Sequence, residues 1–268
     1  MSDLENGLSS SFVRIRLQTV GRFDSTAPFY ARYREPYPPR FFREVAHRQG
    51  LQGSERLIDI GCGPGSLSVG FAPFVRSCLG VDVETEMLAA ARVEAARAGV
   101  HVDFLQARIE ELPREIGVFQ AVTIGRALHW FDRDEALAVL DRIVDEQGWI
   151  AICGTKGQSA AAQGWSGKFH DIRRAWSSKP DETCYHIDYE EWFRDSRFHK
   201  VENVEVTETY QVTIPDLIGR ALSMSTTSPE VLGDRRPAFE AAMRGALEPL
   251  SAGGIFDEQI AALAMILR

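Results

Sequence analysis

The sequence predicts an α/β fold, a doubly wound and mostly parallel sheet with helices on both faces and an inserted cap. Three observations carry this. Short apolar runs alternate five times with helix-patterned stretches across the first half of the chain. The first of those runs ends in a glycine-rich turn, Gly61-Cys62-Gly63-Pro64-Gly65, that opens directly into the next helix. Neither an internal repeat nor a low-complexity tract is present, which argues against a solenoid or propeller.

The elements follow in order. Pro38 and Pro39 suit the first turn of a helix, where a missing N–H costs nothing, and Phe41, Phe42, Val45 and Ala46 mark its apolar face. Arg56 to Ile60 reads as a buried strand, and Ser66 to Phe74 as a helix shortened by Pro73. Ser77 to Val81 is a second strand, ending at Asp82. Glu84 to Ala98 is alanine-rich and helix-prone, with Gly99 placed to end it. Val102 to Leu105 and Val118 to Ile124 are further strands. Asp132 and Glu135 have capping-box spacing before a helix that runs to about Val144, and Gly148 to Cys153 is the fifth strand. Beyond it, Val201 to Val212 reads as a long strand, Pro215 to Ser225 as a helix, and Gln259 to Leu267 as an apolar strand or helix.

Four segments are expected: a lid of residues 1–37, a core of 38–154, a cap of 155–200, and residues 201–268 completing the sheet. The lid carries Tyr30, Tyr33 and Tyr37, positioned to close over a ligand. Trp165, His170, Trp176, His186 and Trp192 in the cap are candidates for shaping a substrate pocket.

Composition narrows the function classes. The chain has 268 residues and a net charge of −8, the wrong sign for gripping phosphate backbones, so nucleic acid is not expected as a partner. No apolar run is long enough to span a bilayer, and the N-terminus lacks the pattern of a secretory signal. Cys62, Cys78, Cys153 and Cys184 are widely spaced and form no CxxC pair, which predicts neither a metal site nor a disulfide framework and fits a reducing cytoplasm. A small-molecule substrate and a monomer or homodimer are the expectation.

The sharpest motif is Leu57-Ile58-Asp59-Ile60-Gly61-Cys62-Gly63-Pro64-Gly65. Here a strand ends, glycines let the chain turn where a side chain would meet a ligand, and a helix N-terminus faces the same crevice. Asp82, at the end of the next strand, has the spacing of an acidic ribose-hydroxyl acceptor. A dinucleotide fingerprint reads GxGxxG and holds a pyrophosphate, whereas this turn reads GxGxG with Asp59 just before it. A carboxylate there repels a pyrophosphate and suits an ammonium group. S-adenosyl-L-methionine has both a ribose and a methionine ammonium, so the charge logic favours it over NAD.

LIDIGCGPG, the strand ending at Asp82 and the following Glu84-Thr85-Glu86-Met87-Leu88 resemble the class I S-adenosylmethionine-dependent methyltransferases. Ala127-Leu128-His129-Trp130-Phe131-Asp132 and the opening Tyr30…Tyr33-Arg34…Pro36-Tyr37-Pro38 are similar to the small-molecule subgroup that includes trans-aconitate methyltransferase-like proteins. The resemblance implies a Rossmann-like sheet of seven strands, the last antiparallel, and transfer of a methyl group to an O, N or C nucleophile. It places the methionine moiety on Asp59, Gly61, Cys62, Gly63 and Gly65, the ribose on Asp82, and the adenine against Val83 and Met87. Gly125 and Tyr33 complete that set. Where the family often has an aspartate for the adenine amino group, this chain has Arg108, so adenine recognition is expected from the backbone of Arg108 or Ile109, or from another side chain. Gln120 likewise replaces a common aspartate. His129 is the candidate base and Arg126 the candidate partner for an acidic substrate; no metal is called for. Two rival readings follow: a binding protein that has lost turnover, given Arg108 and Gln120, and an NAD-dependent oxidoreductase.

Overall fold

A computed structural model describes residues 27–158, 164–178 and 187–268. The described chain enters through helices α1 (Ala27–Tyr33) and α2 (Pro39–Arg48). Strands and helices then alternate: β1 (Arg56–Ile60), α3 (Ser66–Phe71), β2 (Ser77–Asp82), α4 (Thr85–Ala98), β3 (Asp103–Gln106), β4 (Phe119–Gly125), α5 (Arg133–Ile143) and β5 (Val144–Gln158). After them come α6 (Trp165–Trp176), α7 (Tyr189–Trp192), β6 (Lys200–Thr213), α8 (Ile214–Leu222), α9 (Pro229–Leu232), α10 (Arg236–Leu247) and β7 (Ile255–Leu267).

The seven strands form one sheet in the order β3-β2-β1-β4-β5-β7-β6. The first five run parallel, and β7 lies antiparallel between β5 and β6. The expected seven-stranded, doubly wound sheet with an antiparallel last strand is borne out, and the ambiguous Gln259–Leu267 run is strand. Burial on two faces explains the winding. In β1, β4 and β5, alternate residues go to opposite sides: Ile58, Ile60, Val122, Ile124, Ile150 and Ile152 pack with α5, whereas Leu57, Ala121, Trp149, Ala151 and Cys153 pack with α2 and α3. The α2 residues in that second layer include Phe41, Phe42 and Val45, the face its periodicity predicted.

A third apolar cluster sits at the far end of β6 and β7, where Val212 and Phe256 meet Phe169 of α6, Leu217, Ile218 and Ala221 of α8, and Phe239 and Met243 of α10. The structure therefore draws segment boundaries differently from the sequence pattern. β5 runs on to Gln158, past the expected core edge. The covering layer combines α6 with α8 and α10 from the C-terminal segment, while Trp192, Phe193 and Phe198 of the expected cap pack into the α5 side of the core. Of the cap aromatics expected to shape a pocket, Trp165, Trp176 and Trp192 are partly buried against these clusters and His170 is exposed.

The chain runs outward from β1 to β3 and returns to β4 on the other side of β1, so a crevice opens at the carboxyl ends of β1 and β4. The candidate functional site lies there.

Candidate functional site

The Gly61–Gly65 turn is folded by its own geometry. Gly61, Gly63 and Gly65 all have positive φ (69°, 53° and 84°), a region open to glycine and strained for side chains. The Gly61 and Cys62 amides donate to the Val81 carbonyl at 2.8 and 2.9 Å, tying the turn to β2. A β-carbon on Gly61 would stand 2.4 Å from Ala127 Cβ, so the β1 turn and the β4 turn approach closer than side chains allow. One on Gly63 would meet nothing within 4 Å, because it projects into the open cleft. Gly65 begins α3, and its added carbon would press on Ala91 of α4 at 3.1 Å. Gly65 is thus a helix-packing glycine, and it is not among the cavity-lining residues.

Asp59 lies beneath this turn, almost fully enclosed (1% exposed). One of its carboxylate oxygens accepts from the Ser68 amide at 3.0 Å and the Ser68 hydroxyl at 2.5 Å; the other accepts from Thr123 Oγ1 at 2.8 Å. Burial pushes its carboxyl up to about 6, against the pull of those donors. Asp59 therefore brackets β1, α3 and β4 and places negative charge under the turn. Asp82, at the tip of β2, accepts from the Gly63 amide at 2.8 Å and the Glu84 amide at 3.0 Å. Burial raises its carboxyl as well.

A cavity of about 290 Å³ opens above these groups. Its floor is Ile60, Gly61, Gly63 and Asp82; one wall is Val83, Glu84 and Met87; the other is Ala107 to Glu110; and its far side is Gly125, Arg126, His129, Trp130 and Phe131. Tyr30, Arg34 and Ser225 also line it. A second cavity of about 30 Å³ adjoins it, lined by Asp59, Gly61 to Pro64, Ser66 and Leu67 with Tyr30, Tyr37 and Arg126. The structure thus brings together Asp59, Gly61, Cys62, Gly63, Asp82, Val83, Met87, Arg108, Ile109, Gly125, Arg126 and His129.

Tyr33 does not join them. Its ring lies over Gly219 of α8, where an added β-carbon would come within 2.4 Å of Cδ2. On α1 it is Tyr30 and the following Arg34, one turn apart, that face the cleft. Arg108 turns its side chain to Glu110 (3.2 Å), leaving its backbone at the wall. Glu110, which the sequence reading passed over, lines the cavity and accepts from the Asp132 amide at 3.3 Å. Gln120 sits at the opposite end of the strands, accepting from the Arg56 amide and donating to Asp145. It has no bearing on the cleft.

Arg126 is held in the left-handed region (φ 57°), a conformation costly to a side-chain-bearing residue and common at functional turns. Its guanidinium donates to the Glu35 carbonyl at 3.1 Å and to Thr155 Oγ1, and lies 3.9 Å from the Glu35 carboxylate and over the Tyr37 ring. These partners make it an anchor for the 34–38 strap as much as a ligand group. Tyr37 Oη is buried with no hydrogen-bond partner among the described residues, a donor aimed at nothing beside the small cavity. Burial holds His129 below its ordinary value, so its imidazole is neutral at neutral pH. Its ring stands 4.7 Å from that of Trp130. In the third cluster Trp165 stacks on Phe256 and Trp176 meets Phe239 edge-on, and Trp192 lies against Phe193. His186 and Cys184 lie outside the described residues.

Residues 57–148 match the family described as methyltransferase domain. YcgJ, an uncharacterised methyltransferase of Bacillus subtilis, is 34% identical over 99 residues, 36% of this chain and 39% of that protein. The chain spans half or less of the length of the first curated relatives it matches. A proposed type II methyltransferase from Anaeromyxobacter dehalogenans superposes with a TM-score of 0.61 at 19% identity, over 88% of this chain and 97% of that one. Residues 57–148 are thus similar to a methyltransferase domain, and the chain shares the fold of that methyltransferase structure. A second methyltransferase structure, from Thiobacillus denitrificans in complex with S-adenosyl-L-homocysteine, shares the domain's fold with a TM-score of 0.56 at 14% identity, covering 94% and 99% of the two chains. The matched segment runs from β1 into β5, and so contains the glycine turn, Asp82 and His129. Among the described residues no three His, Cys, Asp or Glu side chains cluster as metal ligands, and no helix is long and apolar enough to cross a membrane.

Proposed function

We propose that the protein is an S-adenosyl-L-methionine-dependent methyltransferase acting on a small molecule. The observation that carries this is the paired arrangement of Gly63 and Asp82. The turn glycine opens onto the cleft, and its amide fixes the carboxylate that closes the ribose end. The residues present fit the cofactor. Met87, Val83 and Ile109 offer apolar walls to an adenine, and the amides of Arg108 and Ile109 or the Glu110 carboxylate offer it hydrogen bonds. Asp82 suits ribose hydroxyls. The orphaned Tyr37 hydroxyl, Tyr30 and Arg126 around the small cavity suit a methionine tail, with the Asp59 charge below it favouring the ammonium. A pyrophosphate above that charge would be disfavoured, which sets NAD aside.

Bound there, the cofactor supplies an electrophilic methyl on a sulfonium centre. The chain's task is alignment, an effect worth roughly 7–11 kcal/mol when two reactants are held in line. His129, neutral and on the cavity's far side, is placed to take the proton of an O–H or N–H acceptor as the bond to carbon forms. Tyr30 and Trp130 line the cleft, and a cation held over an aromatic face gains roughly 0.5–2 kcal/mol. The likeness of the ALHWFD stretch and the N-terminal strap to trans-aconitate methyltransferase-like proteins, together with the net charge of −8, supports a small acceptor over nucleic acid. The three described cysteines are all buried and unpaired, consistent with a cytoplasmic enzyme.

Calorimetry on wild type and Asp82→Ala tests the reading. S-adenosyl-L-methionine should bind wild type and lose about ten- to a hundredfold in the variant, the worth of one charge-assisted hydrogen-bonding group of about 1.5–3 kcal/mol. NAD binding with no response to S-adenosyl-L-methionine would reject it.

A further inference from the structure

We propose that Arg34 is the specificity-determining residue for the methyl acceptor and holds a carboxylate on it; the inference rests on the cofactor reading above. Arg34 follows α1, begins the 34–38 strap, and lines the large cavity with Tyr30, His129 and Ser225. Its guanidinium lies over the Tyr30 ring, 4.7 Å from the centroid. Its polar partners are few. One terminal nitrogen reaches the Ser223 carbonyl at a long 3.4 Å, Nε is enclosed with no partner, and no carboxylate pairs with it among the described residues.

The surrounding charges explain why it stands alone. Glu258 takes both terminal nitrogens of Arg220 at 2.8 Å. Glu35 lies between Arg220 (3.6 Å) and Arg126 (3.9 Å). Among the described residues three guanidinium groups thus face two carboxylates, and Arg34 is the one left over. Asp59 and Asp82, across the cleft, are already committed to Ser68, Thr123 and the amides of Gly63 and Glu84. Burial, with Arg126 and Arg220 adding to it, draws Arg34 below the usual arginine range even though Tyr30 and Glu35 oppose the shift. An enclosed guanidinium without its anion is unfavourable, and its planar fork matches the two oxygens of a carboxylate.

Two carboxylates enter this reaction, the cofactor's methionyl group and any acid on the acceptor. Position separates them. The small cavity at the glycine turn, where the methionine tail fits, is bordered by Tyr37 and Arg126; Arg34 borders the large cavity, which His129 and Trp130 also line, and not the small one. The acceptor's acid is therefore the partner.

The test is calorimetry on the full chain, as wild type, Arg34→Met and Arg34→Lys, with melting temperature as the control for folding. The probes are S-adenosyl-L-homocysteine, 5′-methylthioadenosine (which lacks the amino-acid tail), and, with S-adenosyl-L-homocysteine saturating, benzoate, succinate and citrate, each against its amide. Wild type should bind at least one acid more tightly than its amide. Arg34→Met should lose that preference by about tenfold or more while Arg34→Lys retains part of it, with both nucleoside affinities unchanged. A loss of S-adenosyl-L-homocysteine with 5′-methylthioadenosine unaffected would assign Arg34 to the cofactor's tail and overturn the acceptor role. Equal loss of both nucleosides would make Arg34 a structural prop, and an acid preference absent from wild type or intact in Arg34→Met would also overturn it. Failure of wild type to bind S-adenosyl-L-homocysteine at all would instead remove the cofactor reading on which the inference rests.

Discussion

Gly61 and Gly63 share a turn, a backbone region and a motif, yet replacing each by alanine should give opposite results. Both substitutions place a side chain at positive φ, which costs about 1–2 kcal/mol. At Gly61 the new methyl also arrives 2.4 Å from Ala127 Cβ, so β1 and β4 must part at their tips, an overpacking cost of about 1–3 kcal/mol more. For a domain of this size each kcal/mol moves the melting temperature by about 2–4 °C. Gly61→Ala should therefore melt about 2–12 °C below Gly63→Ala. The ligand result should be reversed. The Gly63 methyl meets no protein atom within 4 Å and enters the cleft, so Gly63→Ala should weaken S-adenosyl-L-homocysteine by more than about tenfold, with the smaller thermal loss. Scanning calorimetry without ligand and titration well below the melting point separate the two quantities. A Gly63→Ala protein that binds as wild type does, or a Gly61→Ala protein as stable as Gly63→Ala, would refute the assignment of one glycine to packing and the other to the ligand.

Three further outcomes are expected. Burial raises the Asp59 carboxyl to about 6, above its unfolded value of 3.8, so the fold binds its proton more tightly than the unfolded chain does. The group favours folding most below about pH 4, and that contribution disappears as pH rises through 6, a difference of about 3 kcal/mol; melting temperature against pH should show this component in wild type and lack it in Asp59→Asn. His129 is held below its ordinary value, so methyl transfer should stay level from neutral pH upward and fall only on acidification; His129→Asn should lower kcat by about 10²–10⁴-fold and abolish the acid limb of the pH profile. Arg108→Ala should leave S-adenosyl-L-homocysteine affinity within about threefold, since that side chain serves Glu110 rather than the cavity, while Glu110→Gln should weaken it more, both read by titration.

The first half of the fold was legible because its signals are local. Burial on both faces leaves short continuous apolar strands, and Gly99 ends α4 in the left-handed conformation its position implied. The Asp132 cap accepts from the Glu135 amide as the spacing foretold. The second half was less legible for a physical reason. Its helices are organised by a cluster that spans residues 169 to 256, and no window of sequence shows that Phe169, Phe239 and Phe256 meet. Tryptophans that pack on such partners look the same in sequence as tryptophans that line a pocket.

Within the site, the misplaced residue shows where sequence reasoning lost its footing. Tyr30, Tyr33 and Tyr37 form a spaced aromatic set, and spacing alone assigns all three to a lid. Once residues 27–33 are helical, Tyr30 and Arg34 fall on one face and Tyr33 turns about a quarter of the way round, onto Gly219. Gly219 is itself the missing half of the signal: a glycine inside α8 costs the helix roughly 0.5–1 kcal/mol unless something needs the room, and the Tyr33 ring needs it. Reading the two together would have directed Tyr33 to packing. The same helical arithmetic would have brought Arg34, quoted only as part of a motif, into the cleft beside Tyr30. Its charge explains the strap as well, since Glu35 is drawn to Arg126 and Arg220 and leaves its neighbour facing the cavity without a counter-ion among the described residues.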